Sequence, residues 1–465
     1  MALKNKNILN IGLATAFTLV YVLLCVCLLP TPYYTNDQVL MRDIASGVYT
    51  GTPDAHLIYI MYPLGLIFKG LYSLTGAVKW YDIFMYLVYP VSYYLLTYKL
   101  FRTFDRLWAK LLCGVSALVC FFSVGAHFYV QNEYTLDAGI LAAIGILYFF
   151  PWHEETRREN AFRIIVVIVE FTFALWLRKN VFLLSLPIVA FAALFLVIRG
   201  TKIRELLKPI VTVIVIFFVS IGIDTLAYSS PEWKYFTEFN DARTLVFDYY
   251  WFPEYYENEE LYKKLNITVE EYNSISEGLG LIDDLNAESL KMLAGINEGK
   301  RVPIYYQKGI LVDNLIKEIK SAVKQPIGAV ILILAVLLTA KIFIQKQGKK
   351  SLLLLELPLL TVIYVCAVIV YFSYLDRFPE RVSLGLYYMV AAAFLGGILE
   401  MSTNTCENVS VKKIVIRGSN KLIFNQVILP LKLIGVKADR YFFPAFPAPF
   451  FFFNKNTFNT IHDMG

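Results

Sequence analysis

The chain has 465 residues, of which 57% are hydrophobic and only 17% charged, with a formal net charge of +6 and a mean hydropathy of +0.56. Soluble domains carry about a quarter charged residues, so this composition excludes an ordinary water-soluble fold and indicates an all-α polytopic membrane protein. Six cysteines, five in apolar runs and one in the tail, exclude a disulfide framework, four scattered histidines make no zinc pattern, and the excess of Lys and Arg sits mostly in short loops and the tail, where no nucleic acid is needed to explain it.

The basic start "MALKNKN" leads into an apolar run from Ile8 to Leu29. That run is too long for a signal-peptide core and no small-residue cleavage site follows it, so it reads as a retained signal anchor. Next comes "YYTNDQVLMRDIASGVYTG", residues 33 to 51. Thr35 or Asn36 can cap a short helix from Asp37 to Ser46, with Gly47 as its stop. The segment 56–74 contains Pro63, Gly65, Lys69 and Gly70, and its bulky residues recur at helical spacing, the pattern of a helix lying flat in the interface. Runs at 80–98, 109–127, 135–150, 164–180, 181–198, 209–228, 325–344, 352–373 and 384–401 are each about long enough to span.

Loop charges fix the orientation. With 56–74 flat, the loops 99–110, 151–163, 199–208 and 345–350 share one side and hold fourteen Lys and Arg, against four in the short loops opposite. The positive-inside rule puts the fourteen in the cytoplasm. The expectation is therefore a cell-membrane protein with about ten spans and both termini cytoplasmic. Its parts are a seven-span module over 1–228 that includes the first external loop 30–79, an external helical region over 229–324, three further spans over 325–401, and a basic cytoplasmic tail over 402–465. Within the external region, Thr268 and Glu271 predict a capping box ahead of a helix.

Charges at membrane depth are expensive, about 3 kcal/mol or more near the bilayer centre, and so mark candidate sites. Arg178 and Lys179 lie at a tight break between two spans, with Glu170 deeper in the first. Snorkelling to lipid headgroups is the bland reading of the pair. Arg377 and Arg381 flank Pro379 at the mouth of the ninth span, where two guanidinium forks can grip a phosphate. Glu133 and Asp137, four apart, share a helix face, although Glu133 is equally explained as a helix-start charge. Asp37, Asp43 and His56 gather carboxylates and an imidazole at the external surface, as a base acting on a hydroxyl acceptor requires, although Asp37 in the first turn is also explained as a helix-dipole charge.

An acid just after the first span, surface helices in the first external loop, seven spans before a large external insertion, the helix "PDAHLIYIMYPLGLIFKGLYSLTG" and the late element "DRFPERV" together resemble the GT-C superfamily of membrane glycosyltransferases. The chain departs from that pattern in having "ND" where a pair of acids is frequent, and two separate prolines, Pro53 and Pro63, for a doubled one. The resemblance covers about residues 1–400 and implies transfer of a sugar from a polyprenyl-phosphate carrier to a glycan or lipid acceptor outside the membrane. Asp37 would be the catalytic base or the ligand of a divalent cation, with Asp43 beside it. Arg178, Lys179, Arg377 and Arg381 would hold the donor phosphate, Glu133, Asp137 and His56 would be secondary candidates, and Trp233, Tyr249, Tyr250 and Trp251 would stack on acceptor rings or form a small core. Two rivals remain at this point: a cell-surface polysaccharide polymerase or ligase, and a non-enzymatic flippase or transporter of lipid-linked sugars.

Overall fold

The computed structural model describes residues 2–30, 36–130, 132–152, 156–277, 285–300, 308–344, 352–374 and 378–403, with two short strands at 441–443 and 457–459. The chain divides into two compact units, Met1–Thr405 and Cys406–Gly465. The described part of the second is a parallel strand pair, β1 (Tyr441–Phe443) and β2 (Thr457–Asn459), with Tyr441 opposite Thr457. The rest of the expected tail lies outside the described residues, as does Arg377.

The first unit is all helical among the described residues. Each of the ten predicted apolar runs falls on a long helix: α1 (Ala2–Leu28), α4 (Trp80–Thr103), α5 (Leu107–Val130), α6 (Tyr134–Phe149), α7 (Arg157–Leu177), α8 (Lys179–Arg199), α9 (Ile203–Ala227), α15 (Pro326–Ile344), α16 (Glu356–Tyr374) and α17 (Glu380–Thr403). Seven of them, α1, α7, α8, α9, α15, α16 and α17, are long and apolar enough to cross a membrane. The apolar parts of α5 and α6 are shorter, Leu107–Ser123 and Tyr134–Phe149. Helix α4 has 24 residues but carries Asp82, Lys99, Arg102 and many tyrosines, which dilute its hydropathy. The chain is thus a multi-pass, all-α membrane protein.

Helix α6 is the axis of this unit. Every one of its 16 residues is buried, as befits a helix that beyond its first turn is apolar on nearly every face, and it packs against α4, α7, α8 and α17. A Cβ on Gly139 would stand 2.5 Å from the Gly385 Cα. The α6 and α17 backbones therefore touch, the close approach that small residues permit where lipid supplies no hydrophobic drive. Both ends of α6 are charge-matched to its dipole. At the start, the Glu133 carboxylate accepts from the Thr135 and Leu136 backbone N–H groups at 2.8 and 3.2 Å. At the finish, Lys99 Nζ donates to the Phe150 carbonyl at 2.6 Å and Arg163 to that of Phe149 at 3.2 Å. Arg102 and Glu159, paired at 2.6 Å, tie the 99–110 and 151–163 loops together at that same end.

The segment between α1 and α4 forms α2 (Asn36–Ser46) and α3 (Tyr62–Leu74). The segment expected to lie flat does form a helix, but it starts at Tyr62; residues 54–61 are irregular. Helix α3 buries Pro63, Leu64, Gly65, Phe68 and Tyr72 and exposes Leu66, Ile67 and Leu74 on the other side. Its 13 residues make about 20 Å of helix, short of the roughly 30 Å of hydrocarbon.

The long insertion folds as α10 (Pro231–Thr244), a wide π-turn (Leu245–Tyr250), α11 (Glu259–Lys264), α12 (Val269–Ser276), α13 (Ala287–Lys300) and α14 (Lys308–Lys324). It has a core of its own around Val246, Tyr255, Tyr262, Ile275, Leu290 and Leu293. The predicted capping box is present, with Thr268 N–H donating to Glu271 Oε2 at 2.8 Å and Glu271 N–H to Thr268 Oγ1 at 3.2 Å.

Candidate active site

The site begins with the irregular stretch between α2 and α3, which is pinned by groups remote in sequence. Tyr62 N–H donates to Asp224 Oδ1 at 2.8 Å, so an acid from α9 caps α3. Met61 N–H donates to the Trp176 carbonyl at 2.8 Å, and Ile58 N–H to the Tyr228 hydroxyl at 3.1 Å. Ile58 has φ 67°, a region a β-branched residue enters only under constraint. His56 supplies more of that constraint. Its Nδ1 is 2.7 Å from Asp54 Oδ1, its Nε2 is 3.3 Å from the Ala227 carbonyl, and its ring stacks on Trp233 at 4.3 Å. Burial works against the Asp54 charge, but hydrogen bonds from the His56 backbone and ring outweigh it and hold the carboxyl below its usual range. Gly65 is required here, because a Cβ would fall 1.9 Å from the Ala55 carbonyl oxygen.

This stretch delivers Tyr59 to a cluster of charges. Tyr59 lies parallel to Tyr134, ring centroids 6.2 Å apart. The Arg178 guanidinium stands 5.8 Å from the Tyr59 ring and 5.4 Å from that of Tyr134, within cation–π range of both. Burial, and next the Asp37 carboxylate, push the Tyr59 phenol above its usual range against Arg243 and Arg178, with Asp248 adding to the push. Tyr59 therefore stays a hydroxyl donor at neutral pH. The charges acting on Tyr134 are Arg178, Glu133, Asp37 and Arg381. Arg381 Nε also lies 3.9 Å from Glu133 Oε1.

Those four residues share one feature. Asp37 is in the first turn of α2, Glu133 is the N-cap of α6, Arg178 the N-cap of α8, and Arg381 the second residue of α17. Four helix N-termini and three guanidiniums, Arg243 being the third, thus act on one tyrosine pair. Each N-terminus adds about half a positive charge, so the field favours a bound anion. Asp37 is partly buried and acts on both phenols, whereas the Glu133 carboxylate is taken up by the α6 cap.

The other predicted site residues keep different company. Asp43 is held by Arg42 at 2.8 Å and acts on Tyr72. Lys179, next to Arg178, is exposed and acts on Asp224. His56 clamps the loop to α9 and α10. Asp137 is fully buried one turn into α6, with the Tyr89 phenol as its neighbour. Trp233 packs on His56, and Tyr250 packs against the small core of the insertion. Four contributors were not anticipated: Tyr59, Tyr134, Asp224 and Arg243. Only Asp224 left a trace in the sequence, as a lone acid four residues before the end of a span.

A divalent cation would find a poor donor set at Asp37. Glu133 is committed to the α6 cap, to the Thr135 hydroxyl at 2.9 Å and to Arg381, and the remaining neighbours are cations and phenols. Among the described residues no group of three or more His, Cys, Asp or Glu could hold a metal ion. No family model, curated protein or solved structure matches this chain.

Proposed function

We propose that this protein is a GT-C-like glycosyltransferase that moves a sugar from a polyprenyl-phosphate donor to a glycan or lipid acceptor at the outer face of a cell membrane. In this reading it has ten spans and cytoplasmic termini. The observation that carries it is the convergence of Asp37, Arg178, Glu133 and Arg381, each at a helix N-terminus, on Tyr134. Such a site offers a carboxylate base beside a place for a phosphate.

The chemistry follows from those groups. Asp37 takes the proton of the acceptor hydroxyl as its oxygen attacks the anomeric carbon. The bond from that carbon to the phosphate oxygen breaks, and its electron pair leaves with the polyprenyl phosphate. Arg178 and Arg381 meet the growing negative charge, aided by the helix dipoles, so their stabilisation is larger in the transition state than in the ground state. Glu133 orients Arg381 and limits the net positive charge. No step requires a metal.

The test is donor turnover by the protein in liposomes. Short-chain polyprenyl-phosphate glucose, mannose, galactose and arabinose would be supplied with a membrane glycan extract, and release of polyprenyl phosphate followed by mass spectrometry. Asp37→Asn keeps the shape but cannot accept a proton, and is expected to abolish release while the protein stays folded. Release undiminished in Asp37→Asn, or none by the unaltered protein with any donor, would refute the reading.

One observation favours a second reading, an ion-coupled carrier of lipid-linked sugars. Asp137 is a carboxyl completely buried inside a helix bundle, a feature of ion pathways in transporters. Movement of labelled donor across the bilayer that survives Asp37→Asn and stops with Asp137→Asn would select the carrier.

A further inference from the structure

The π-turn of the external insertion ends on Trp251, whose backbone has φ 62° and ψ 165°. That region is populated almost solely by glycine. A bulky residue persists there only when its surroundings over-determine the backbone, and here they do. Trp251 N–H donates to the Val246 carbonyl at 2.7 Å. Asn297 Nδ2, from α13, donates to the Tyr250 and Trp251 carbonyls, both at 3.0 Å. The Tyr250 hydroxyl donates to Glu298 Oε1 at 3.2 Å.

All this structure holds an indole in water. Trp251 is 68% exposed, so the strained backbone gains no packing of the large ring in return. The location is informative. Asp248, three residues earlier, and Arg243, at the end of α10, both act on Tyr59 together with Asp37 and Arg178. The turn that presents Trp251 therefore borders the charge cluster.

We propose that Trp251 is the stacking platform for a pyranose ring of the acceptor, an inference that rests on the sugar-transfer reading above. An indole offers a flat apolar face to the C–H face of a sugar at a low entropic cost, since it has only two side-chain torsions and the backbone that carries it is held by Val246 and Asn297. The charge nearby selects against the other large partners of exposed tryptophans. Between Arg243 and Lys263 the chain has Asp248, Glu254, Glu257, Glu259 and Glu260 and no Lys or Arg. That sign repels anionic headgroups and nucleic acid and suits a ligand whose hydrogen-bond donors are hydroxyls.

The experiment uses the full chain in nanodiscs and three probes, chitotetraose, cellotetraose and mannotetraose, with binding read by saturation-transfer NMR. At least one probe is expected to bind the unaltered protein. Trp251→Ala should weaken that binding about tenfold or more, while Trp251→Tyr retains most of it. Trp251→Gly should lose binding yet unfold at the same or a higher temperature, because glycine relieves the strained φ; this separates a ligand role from a structural one. Trp251-dependent binding by a protein that consumes no donor would keep the platform and discard the transfer reading. Binding of none of the three probes, equal binding by Trp251→Ala, or loss only of contact between residue 251 and brominated lipid would overturn the proposal.

Discussion

At the scale of single residues, Arg178 shows how one side chain can be read and still surprise. Its charge at a break between two apolar runs marks it in the sequence, but nothing local distinguishes it from Lys179. The fold does: Arg178 lies over two phenol rings beside Asp37 and Glu133, whereas Lys179 acts on Asp224. A guanidinium is planar, and its fork fits two phosphate oxygens while its face stacks on rings. Arg178→Lys retains the charge and loses both geometries. Turnover of donor is expected to fall about tenfold or more, the size of one charged hydrogen bond. Lys179→Gln should change turnover by less than about threefold, a difference near the net worth of an exposed charge pair. Equal losses in the two variants would reduce Arg178 to a general source of positive charge.

At the scale of elements, what was legible was whatever is encoded locally. The Thr268–Glu271 box, the break at Arg178 and the amphipathic face of α3 each depend on residues a few positions apart, and each appears as expected. The start of α3 carried one local signal, Pro63 in its first turn, but the carboxylate that caps it was not legible, because Asp224 meets Tyr62 across 162 residues. An N-terminal carboxylate satisfies an orphan N–H and the helix dipole together, and its replacement by alanine costs about 0.5–2 kcal/mol. Asp224→Ala should therefore loosen the stretch 57–62 that carries Tyr59. Faster amide exchange at Met61 and Tyr62, with exchange in α6 unchanged, is the expected signature. A uniform increase throughout the first unit would mean instead that Asp224 supports the whole bundle. The convergence of four helix N-termini was hidden for the same reason: it arises from how α2, α6, α8 and α17 pack, including the Gly139–Gly385 contact, and no spacing in the chain records it.

At the scale of the whole molecule, the question is which end of the bundle faces out, and the proposed orientation turns on α3. Its 13 residues cannot cross the hydrocarbon, and its buried face of Leu64, Phe68 and Tyr72 lies against the protein while Leu66, Ile67 and Leu74 are left for lipid. With α3 flat, the loops containing Arg106 and Lys202 fall on the side of the α1 start, and the loop containing Lys79 and the insertion containing Glu270 fall on the other. In the proposed orientation the positive-inside rule makes the first side cytoplasmic, since it gathers fourteen Lys and Arg in its four loops. If α3 crossed, every later loop would change sides, and those fourteen charges would have to be exported. The four positions named are exposed, so single cysteines there, in a chain otherwise free of cysteine, will report side and not burial. Lys79→Cys and Glu270→Cys should react with a membrane-impermeant maleimide on intact cells, and Arg106→Cys and Lys202→Cys only after lysis. Labelling of Arg106→Cys from outside, with Glu270→Cys protected, would require α3 to span and would move Trp251 to the cytoplasmic side, away from any external acceptor.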